Sequence, residues 1–412
     1  MIETKIVSGG HEAVAALAEE WTRLLDENGQ HDPFSRPEWF AAFAKNFEAF
    51  DLLTVRIDGS LRAVLPIARR REAIHGLPVR KAYGAFNLNT PRFDLIHSGK
   101  ESERPLIAKA LWDHLKLTGE WDVLEFRLVK RDSWLSDLLE LARKEKHLTG
   151  IWQMDAAPFV DVPPLQSDPA SSLESFFTGA RKHLGKELAR RLRRLNEMGH
   201  VEFVTATGFE SDLIERYLEL ENRGWKGRIG TAAVCDSRAA GLHQDFAKSM
   251  ANNDSLLVYE LKLDGTTIAM SINIRSGPKT IHWKTSYDES FAKYSPGNLL
   301  FKKLLEDCIS AGSSEIDFLS PSTPNKRFWA TGEREHVAFY IFQRGVLGAL
   351  AFRWTFSVVN RLRKYKASQP KPSVKARRPT QILDHVRAWK SRSIDRLPTF
   401  KEHTADGQPA TE

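Results

Sequence analysis

The feature that most restricts the fold is a β-hairpin signature that occurs twice. At 52–70 the chain reads LLTVRIDGSLRAVLPIARR, and at 256–276 it reads LLVYELKLDGTTIAMSINIRS. Each copy opens on paired leucines, turns at Asp58-Gly59 or Asp264-Gly265, and carries an alanine four residues past the glycine, Ala63 or Ala269. Asp-Gly between two β-rich runs is among the strongest short-range hairpin signals, because both turn residues must take positive φ. The order of elements downstream of each hairpin repeats as well. A helical run with Gly119 precedes Val123-Leu124-Glu125-Phe126, and a later one with Gly312 precedes Glu315-Ile316-Asp317-Phe318. The economical fold is α/β, of α+β type, with two tandem units at 1–157 and 158–345. Each would hold a mixed, mainly antiparallel sheet flanked by helices, and a basic helical extension would occupy 346–412. The boundary falls where Pro158, Pro163, Pro164 and Pro169 lie among small and polar residues.

Within the second unit, 280–319 reads as strand, loop, helix and strand. Tyr294-Ser295-Pro296-Gly297-Asn298 is turn chemistry, and Leu300, Leu304 and Cys308 then recur at helical spacing. A helix begun through Pro-Gly offers the N–H groups of Gly297, Asn298 and Leu299, and the positive end of its dipole, to an anion. Strict alternation along the strand puts His282 on one face with Lys284 and Ser286. The corresponding loop of the first unit, 97–104, carries Glu101 and Glu103 at its helix start, which would repel phosphate. That unit reads as a degenerate copy that closes a groove between the two.

Composition narrows the alternatives. The formal charge of +7 belongs to the end of the chain, since 361–412 holds thirteen Lys and Arg against five Asp and Glu, leaving the first 360 residues near neutrality. A nucleic-acid binder would need a broad basic face on the body, so that reading falls away. Cys235 and Cys308 form neither a disulfide framework nor a zinc site, no secretory leader or membrane-spanning run is legible, and the expected location is the cytoplasm. No metal is expected, and the usual hydrolase, nucleotide triphosphatase and dinucleotide motifs are missing.

The chain resembles the GNAT acyltransferase superfamily. The likeness covers roughly 21–344 and rests on Pro33-Phe34 with Trp39, on DGSLRAVLPIA, and on the basic helix followed by Gly199 and Val201. It rests also on Tyr287-Asp288 with Tyr294-Ser295-Pro296-Gly297, and on Asp317-Phe318 followed by Asn325-Lys326-x-x-Trp329. More closely the chain looks like the CelD/BcsL group associated with cellulose and exopolysaccharide biosynthesis, and at greater distance like FemAB-type transferases, which use two such units. The resemblance implies acyl-coenzyme A, with acetyl-coenzyme A as the leading donor, between splayed strands. Its pyrophosphate would lie on Lys293, Tyr294, Ser295, Gly297, Asn298 and Leu299, and the acceptor would be an amine or hydroxyl of a saccharide-related molecule. The chain departs from the family pattern at Ser320, where a glycine is usual, and at Asn325, where a tyrosine is usual.

Four residues are candidates for the chemistry. Lys326 could stand where oxyanion charge develops or bind an anionic group, and otherwise is a surface lysine. Asp317 could accept a proton, or it is a buried carboxylate paired to a cation. His282 could be a general base, or a histidine hydrogen-bonded within a sheet. Tyr287 could protonate a departing thiolate, or it packs. For the acceptor, Trp225 and Arg228 lie in a Gly-rich stretch, Arg181 opens the basic helix at 181–198, and Trp329 follows Lys326. Two other functions stay open: an aminoacyl transferase acting on a cell-wall precursor, and a silent subunit of a polysaccharide or membrane complex. After Gly345 an apolar and aromatic run leads into Arg361, Arg363, Lys364 and Lys366, which suits either a docked helix or one lying on anionic lipid at the inner membrane, and a last helix is expected at 381–394.

Overall fold

Both Asp-Gly turns close hairpins in the computed structural model, which describes residues 1–358 except His75, Phe209, Ser211, Ile229 and Thr231; the side chains of Ala180, Trp225, Lys226, Ser357 and Val358 also lie outside it. Asp58 and Gly59 have φ of 51° and 80°, and Asp264 and Gly265 have 48° and 75°, the twist that matches flanking strands. Each hairpin carries a bulge at the equivalent place, after Val55 in one and after Leu261 in the other. The repeated alanines explain themselves there: Ala63 pairs Val55 and Ala269 pairs Leu261, at the last regular position before the bulge.

In the first unit the strands are β1 (Ile2–Val7), β2 (Asp51–Ile57), β3 (Ser60–Ile74), β4 (Leu77–Gly84), β5 (Ile96–His97), β6 (Val123–Lys130) and β7 (Leu148–Gln153), with helices α1 (His11–Glu27), α2 (Pro37–Asn46), α3 (Arg104–Thr118) and α4 (Asp137–Lys144). The second has β8 (Ala157–Asp161), β9 (Val201–Thr207), β10 (Leu256–Leu263), β11 (Thr266–Ser276), β12 (Lys279–Tyr287), β13 (Glu315–Asp317), β14 (Gly332–Arg334) and β15 (His336–Phe342). Its helices are α5 (Pro169–Phe176), α6 (Lys182–Asn196), α7 (Leu213–Arg223), α8 (Trp225–Arg228), α9 (Ser237–Asn252), α10 (Pro296–Ser310), α11 (Pro324–Trp329) and α12 (Val346–Phe352). The sheets run β1-β2-β3-β4-β6-β15-β7, with β5 beside β3, and β14-β8-β13-β12-β11-β10-β9. Among the described strands only β4 with β6 and β12 with β13 are parallel. The chain thus folds as two tandem α/β units, each with a mixed sheet flanked by helices.

One strand crosses between the units. β15, late in the chain, inserts between β6 and β7 of the first sheet. The two units also share a core: Trp39 of α2 meets Phe246 of α9 edge-on at 4.9 Å. Asp245 accepts from Lys45 and Asn46 at 2.8 and 2.7 Å. Gly241 sits where any Cβ would stand 2.1 Å from the Asn46 amide oxygen, so a side chain there would displace that amide from its place beside Asp245.

The first unit's own fork between β4 and β6 is filled. Phe93 stacks on Phe126 and lies so close over Gly84 that a Cβ there would be 2.5 Å from its ring. At the start of α3, Glu103 accepts from Ser98 Oγ at 2.6 Å, and Glu101 accepts from the Trp134 indole at 3.3 Å. The described part of the extension packs on the first sheet, with Phe352 and Phe356 against Trp152, Tyr340 and Phe342. The helix expected at 381–394 lies outside the described residues. Among these, no helix is long and apolar enough to cross a membrane.

Candidate active site

The site is built on a fork. β12 pairs β13 only from Lys279 to Ile281, and past the Ile281–Asp317 pair the strands separate. β12 continues along β11 to Tyr287, whereas the other branch turns at Leu319, with φ of 58°, and at a cis Ser320–Pro321 bond. A register shift opposite Ile272 and Asn273 leaves Trp283 without a partner across the ladder. This bulge corrects the expected alternation. His282 and Thr285 share a face and touch at 2.7 Å, while Lys284 lines the cleft between the units.

His282 is pinned rather than free. Its Nδ1 meets Asn273 Oδ1 at 2.7 Å, its ring packs edge-on to Phe301 and Phe318, and burial together with the Lys326 charge holds its pKa down to about 3. The imidazole is therefore neutral throughout the range where a histidine base would titrate. Its carbon-13 Cε1 shift is expected to stay flat between about pH 5 and 8; a midpoint near 6.5 would return it to the role of general base.

One side of the fork holds the start of α10. Ser295 adopts a left-handed conformation (φ 52°) just before Pro296. Its carbonyl takes the N–H of both Asn298 and Leu299, at 3.0 and 3.1 Å, so of the three expected donors only the Gly297 N–H is uncommitted among the described residues. Space is open there: a methyl on Gly297 would stand 3.5 Å from Thr285 Cγ2 and 3.7 Å from Tyr287 Cδ1. The basic helix supplies what the loop lacks. Arg191 of α6 reaches the Ser295 hydroxyl while bonding Glu187 at 2.7 Å, and Arg190 and Arg191 together hold the Glu187 carboxyl down to about 2. Arg191 was legible in outline, since it stands at i+3 and i−4 to the buried Leu188 and Leu195 and so lies at the inner edge of the helix. Lys293 is exposed, its ammonium 4.9 Å above the Tyr294 ring.

On the other side lies a cavity of about 520 Å³ between the units. Lys284, Lys326, Phe318 and Leu319 come from the fork, and Arg70, Lys81, Tyr83 and Arg127 from the first unit. Five cations and the three carboxylates of Glu48, Glu125 and Asp155 line it. Glu125 is the most constrained: it is buried with Lys81, Arg127 and the Tyr340 hydroxyl, and although burial opposes ionisation those partners bring its pKa to about 2. Tyr83 donates to Glu48 at 2.8 Å. Sequence reasoning passed over Arg70, Lys81, Tyr83 and Arg127, which stand on strands of the other unit.

The remaining candidates lie in varied surroundings. Lys326 donates to the carbonyls of Leu319 and Pro321, both at 3.0 Å, and so fixes the turned branch of the fork at the cleft wall. Asp317 is buried, 2.9 Å from Arg92 of the first unit and accepting from the Leu319 N–H at 2.8 Å. Trp329 is buried rather than in the groove: it packs on Phe301 and donates to Asn298 Oδ1 at 3.0 Å, which uses that side chain too. Arg181 donates to the Ala330 carbonyl at 2.7 Å. Arg228 pairs with Glu289 at 2.6 Å, beside the α10 loop and not in the cleft. The Trp225 side chain lies outside the described residues. Leu299 and Tyr294 are core residues of the second unit, while Tyr287 stays partly exposed at the end of β12. Among the described residues no group of His, Cys, Asp and Glu could hold a metal ion.

Comparison with known proteins agrees with this geometry. Residues 182–327, from the start of α6 to just past Lys326, match the family described as acetyltransferase (GNAT) domain. The second unit therefore carries a GNAT acetyltransferase domain, and the protein is an acyltransferase. No curated protein matches the chain in sequence. Among solved structures it is similar to a C-terminal domain (DUF2156) assigned to a lysylphosphatidylglycerol synthetase of Agrobacterium fabrum, at 12% identity and TM-score 0.50, over 84% of this chain and 96% of that one. It is similar to FemX at 11% identity and TM-score 0.50, over 84% and 100% of the respective chains. At these identities the likeness is one of fold.

Proposed function

We propose that the protein transfers an acyl group from acyl-coenzyme A to an amine or hydroxyl of a saccharide-related acceptor that carries a negative charge, in cellulose or exopolysaccharide biosynthesis in the cytoplasm. The observation that carries this reading is the fork itself. An open helix start with Gly297 and Arg191 stands on one side, suited to a diphosphate, and a cation-rich cleft stands on the other. A thioester laid through the gap would meet its acceptor where β12 and β13 part. Lys284 and Lys326, the latter held at the cleft wall by the Leu319 and Pro321 carbonyls, would stabilise negative charge developing on the acyl oxygen, and Tyr287 would stand on the donor side, where the thiolate leaves.

The test is thiol release from acetyl-coenzyme A in the presence of amino sugars and their phosphorylated or carboxylated forms. Acceptor-dependent release is expected, with the charged form giving the larger kcat/KM by about tenfold or more. Binding of coenzyme A without release for any acceptor would overturn the acceptor class, and no binding at all would overturn the donor. Transfer from aminoacyl-tRNA, which brings no diphosphate to the α10 loop, is the outcome that would favour the FemAB-like alternative.

A further inference from the structure

A second cavity, of about 370 Å³, lies between the units beside the Arg92–Asp317 bridge, and acyl transfer at the fork does not use it. Its wall comes from the loop after α1, from 92–97 with Lys130 at the end of β6, and from the turn between β11 and β12. Leu128, at φ 59° where β6 bulges against β15, lines both this cavity and the cleft, so the two share a wall.

Four cations and three carboxylates line the cavity, and most are matched. Arg92 lies between Asp32 and Asp317, at 3.2 and 2.9 Å, while Lys279 and Arg334 both bind Glu315, at 3.2 and 2.9 Å. Three lining groups of the first unit are left over. Asp94 takes the Ser133 hydroxyl and the Leu95 N–H on Oδ1 alone, so its Oδ2 has no hydrogen bond among the described residues. Burial outweighs those bonds and the Lys130 charge and pushes the Asp94 pKa up to about 6, as befits a carboxylate short of partners. Lys130 makes no ion pair among the described residues. His97, stacked on Trp134 at 3.8 Å, receives the Gly99 N–H on Nδ1 at 3.0 Å. Burial and the Arg104 and Lys130 charges bring its pKa down to about 4, so the ring is neutral and carries its proton on Nε2. That N–H also has no partner among the described residues.

We infer that this cavity holds an uncharged pyranose, the next residue of an oligosaccharide acceptor whose charged unit occupies the cleft; the inference rests on the saccharide reading of the acceptor. The leftover groups select this occupant. A ligand must donate to Asp94 and accept from Lys130 and His97, and a hydroxyl can do either. A carboxylate or phosphate would meet Asp94, and an amine would meet Lys130, each a like charge in a confined space. The volume falls near the lower end of the usual range for small-molecule sites, about 300–1,000 Å³, and suits one ring. A chain of sugars passing Leu128 would reach both cavities.

The experiment is titration of the full chain with cellotriose, glucose and glucuronate, read by calorimetry and by the His97 Cε1–H resonance. Cellotriose and glucose are expected to move that resonance, and glucuronate to need a concentration about tenfold higher. Asp94→Asn, which keeps the Oδ1 contacts, and Lys130→Met, which keeps the stem, should each weaken cellotriose about tenfold, the loss of one hydrogen bond to a charged group. Coenzyme A should bind both variants as it binds the parent. Cellotriose that binds without moving His97, or equally well in both variants, would put the sugar in the cleft alone and overturn the inference. Binding of none of the three would overturn it too, leaving the cavity to water, and glucuronate binding more tightly than glucose would make it an anion site. Thiol release with a silent His97 would sink this subsite and spare the transfer reading. A responsive His97 with no thiol release for any acceptor would do the reverse.

Discussion

Gly297→Glu is expected to weaken coenzyme A binding about a hundredfold while the unliganded protein melts within about 2 °C of the parent. The two halves of that expectation have separate causes. Gly297 is not in the left-handed region, and a Cβ there meets only Thr285 and Tyr287, at ordinary contact distances of 3.5 and 3.7 Å. An acidic side chain in the first turn also favours the helix dipole, so folding loses nothing. A diphosphate fares differently. It would face a carboxylate within about 4 Å, and like charges at that distance near a protein surface repel by about 4 kcal/mol, which is more than two decades of affinity before any relaxation. Gly297→Ala, which adds bulk without charge, should bind nearly as the parent does. Arg191→Ala should lose about tenfold, the worth of one charge-assisted contact. Calorimetric titration with coenzyme A decides the matter; parent-like affinity in Gly297→Glu would put the diphosphate somewhere other than the α10 start.

The parts of this site that were legible in the chain are those set by near neighbours. Asp58-Gly59, Asp264-Gly265 and Tyr294 to Gly297 are turn chemistry, and the apolar period after Pro296 is that of a helix, so hairpins, loop and helix could all be read locally. What could not be read depends on partners far along the chain. The crossing of β15 into the first sheet arises from long-range pairing, which leaves no period of its own. The bulge at Trp283 breaks an alternation that the residue types alone would continue. Trp329 and Arg228 looked like binding residues because tryptophan and arginine serve binding and structure alike, and only burial against Phe301 or pairing with Glu289 separates the two. The cleft's first-unit wall escaped notice for the same reason: Arg70, Lys81 and Arg127 are unremarkable until the fold sets them opposite Lys284 and Lys326.

Asp317 tests the difference between a carboxylate that reacts and one that holds the halves together. It lies at the root of the fork with its side chain 3% exposed, 2.9 Å from Arg92, whose guanidinium is also buried and reaches Asp32 at 3.2 Å. Burial pushes its pKa up, but the Arg92 charge, the Leu319 N–H and Arg334 outweigh that and hold the carboxyl below the ordinary aspartate value of 3.8. The bridge's contribution is thus complete above the unfolded value and is lost as pH falls from about 4 through the lower folded one. Asp317→Asn keeps the shape and an acceptor for Leu319 but leaves the buried Arg92 with Asp32 alone of its two carboxylates, and breaking a buried pair in this way costs up to about 3–5 kcal/mol. The variant should unfold at lower urea by that amount, yet turn over at near-parent kcat where it remains folded. Replacing both partners, Arg92→Met with Asp317→Leu, should recover much of the loss, because an apolar contact removes the under-compensated charge together with its partner. A base would behave in the opposite way: Asp317→Asn would keep its stability within about 0.5 kcal/mol and lose kcat a hundredfold or more, about 3 kcal/mol of transition-state stabilisation. That result would move Asp317 from the hinge between the units into the chemistry.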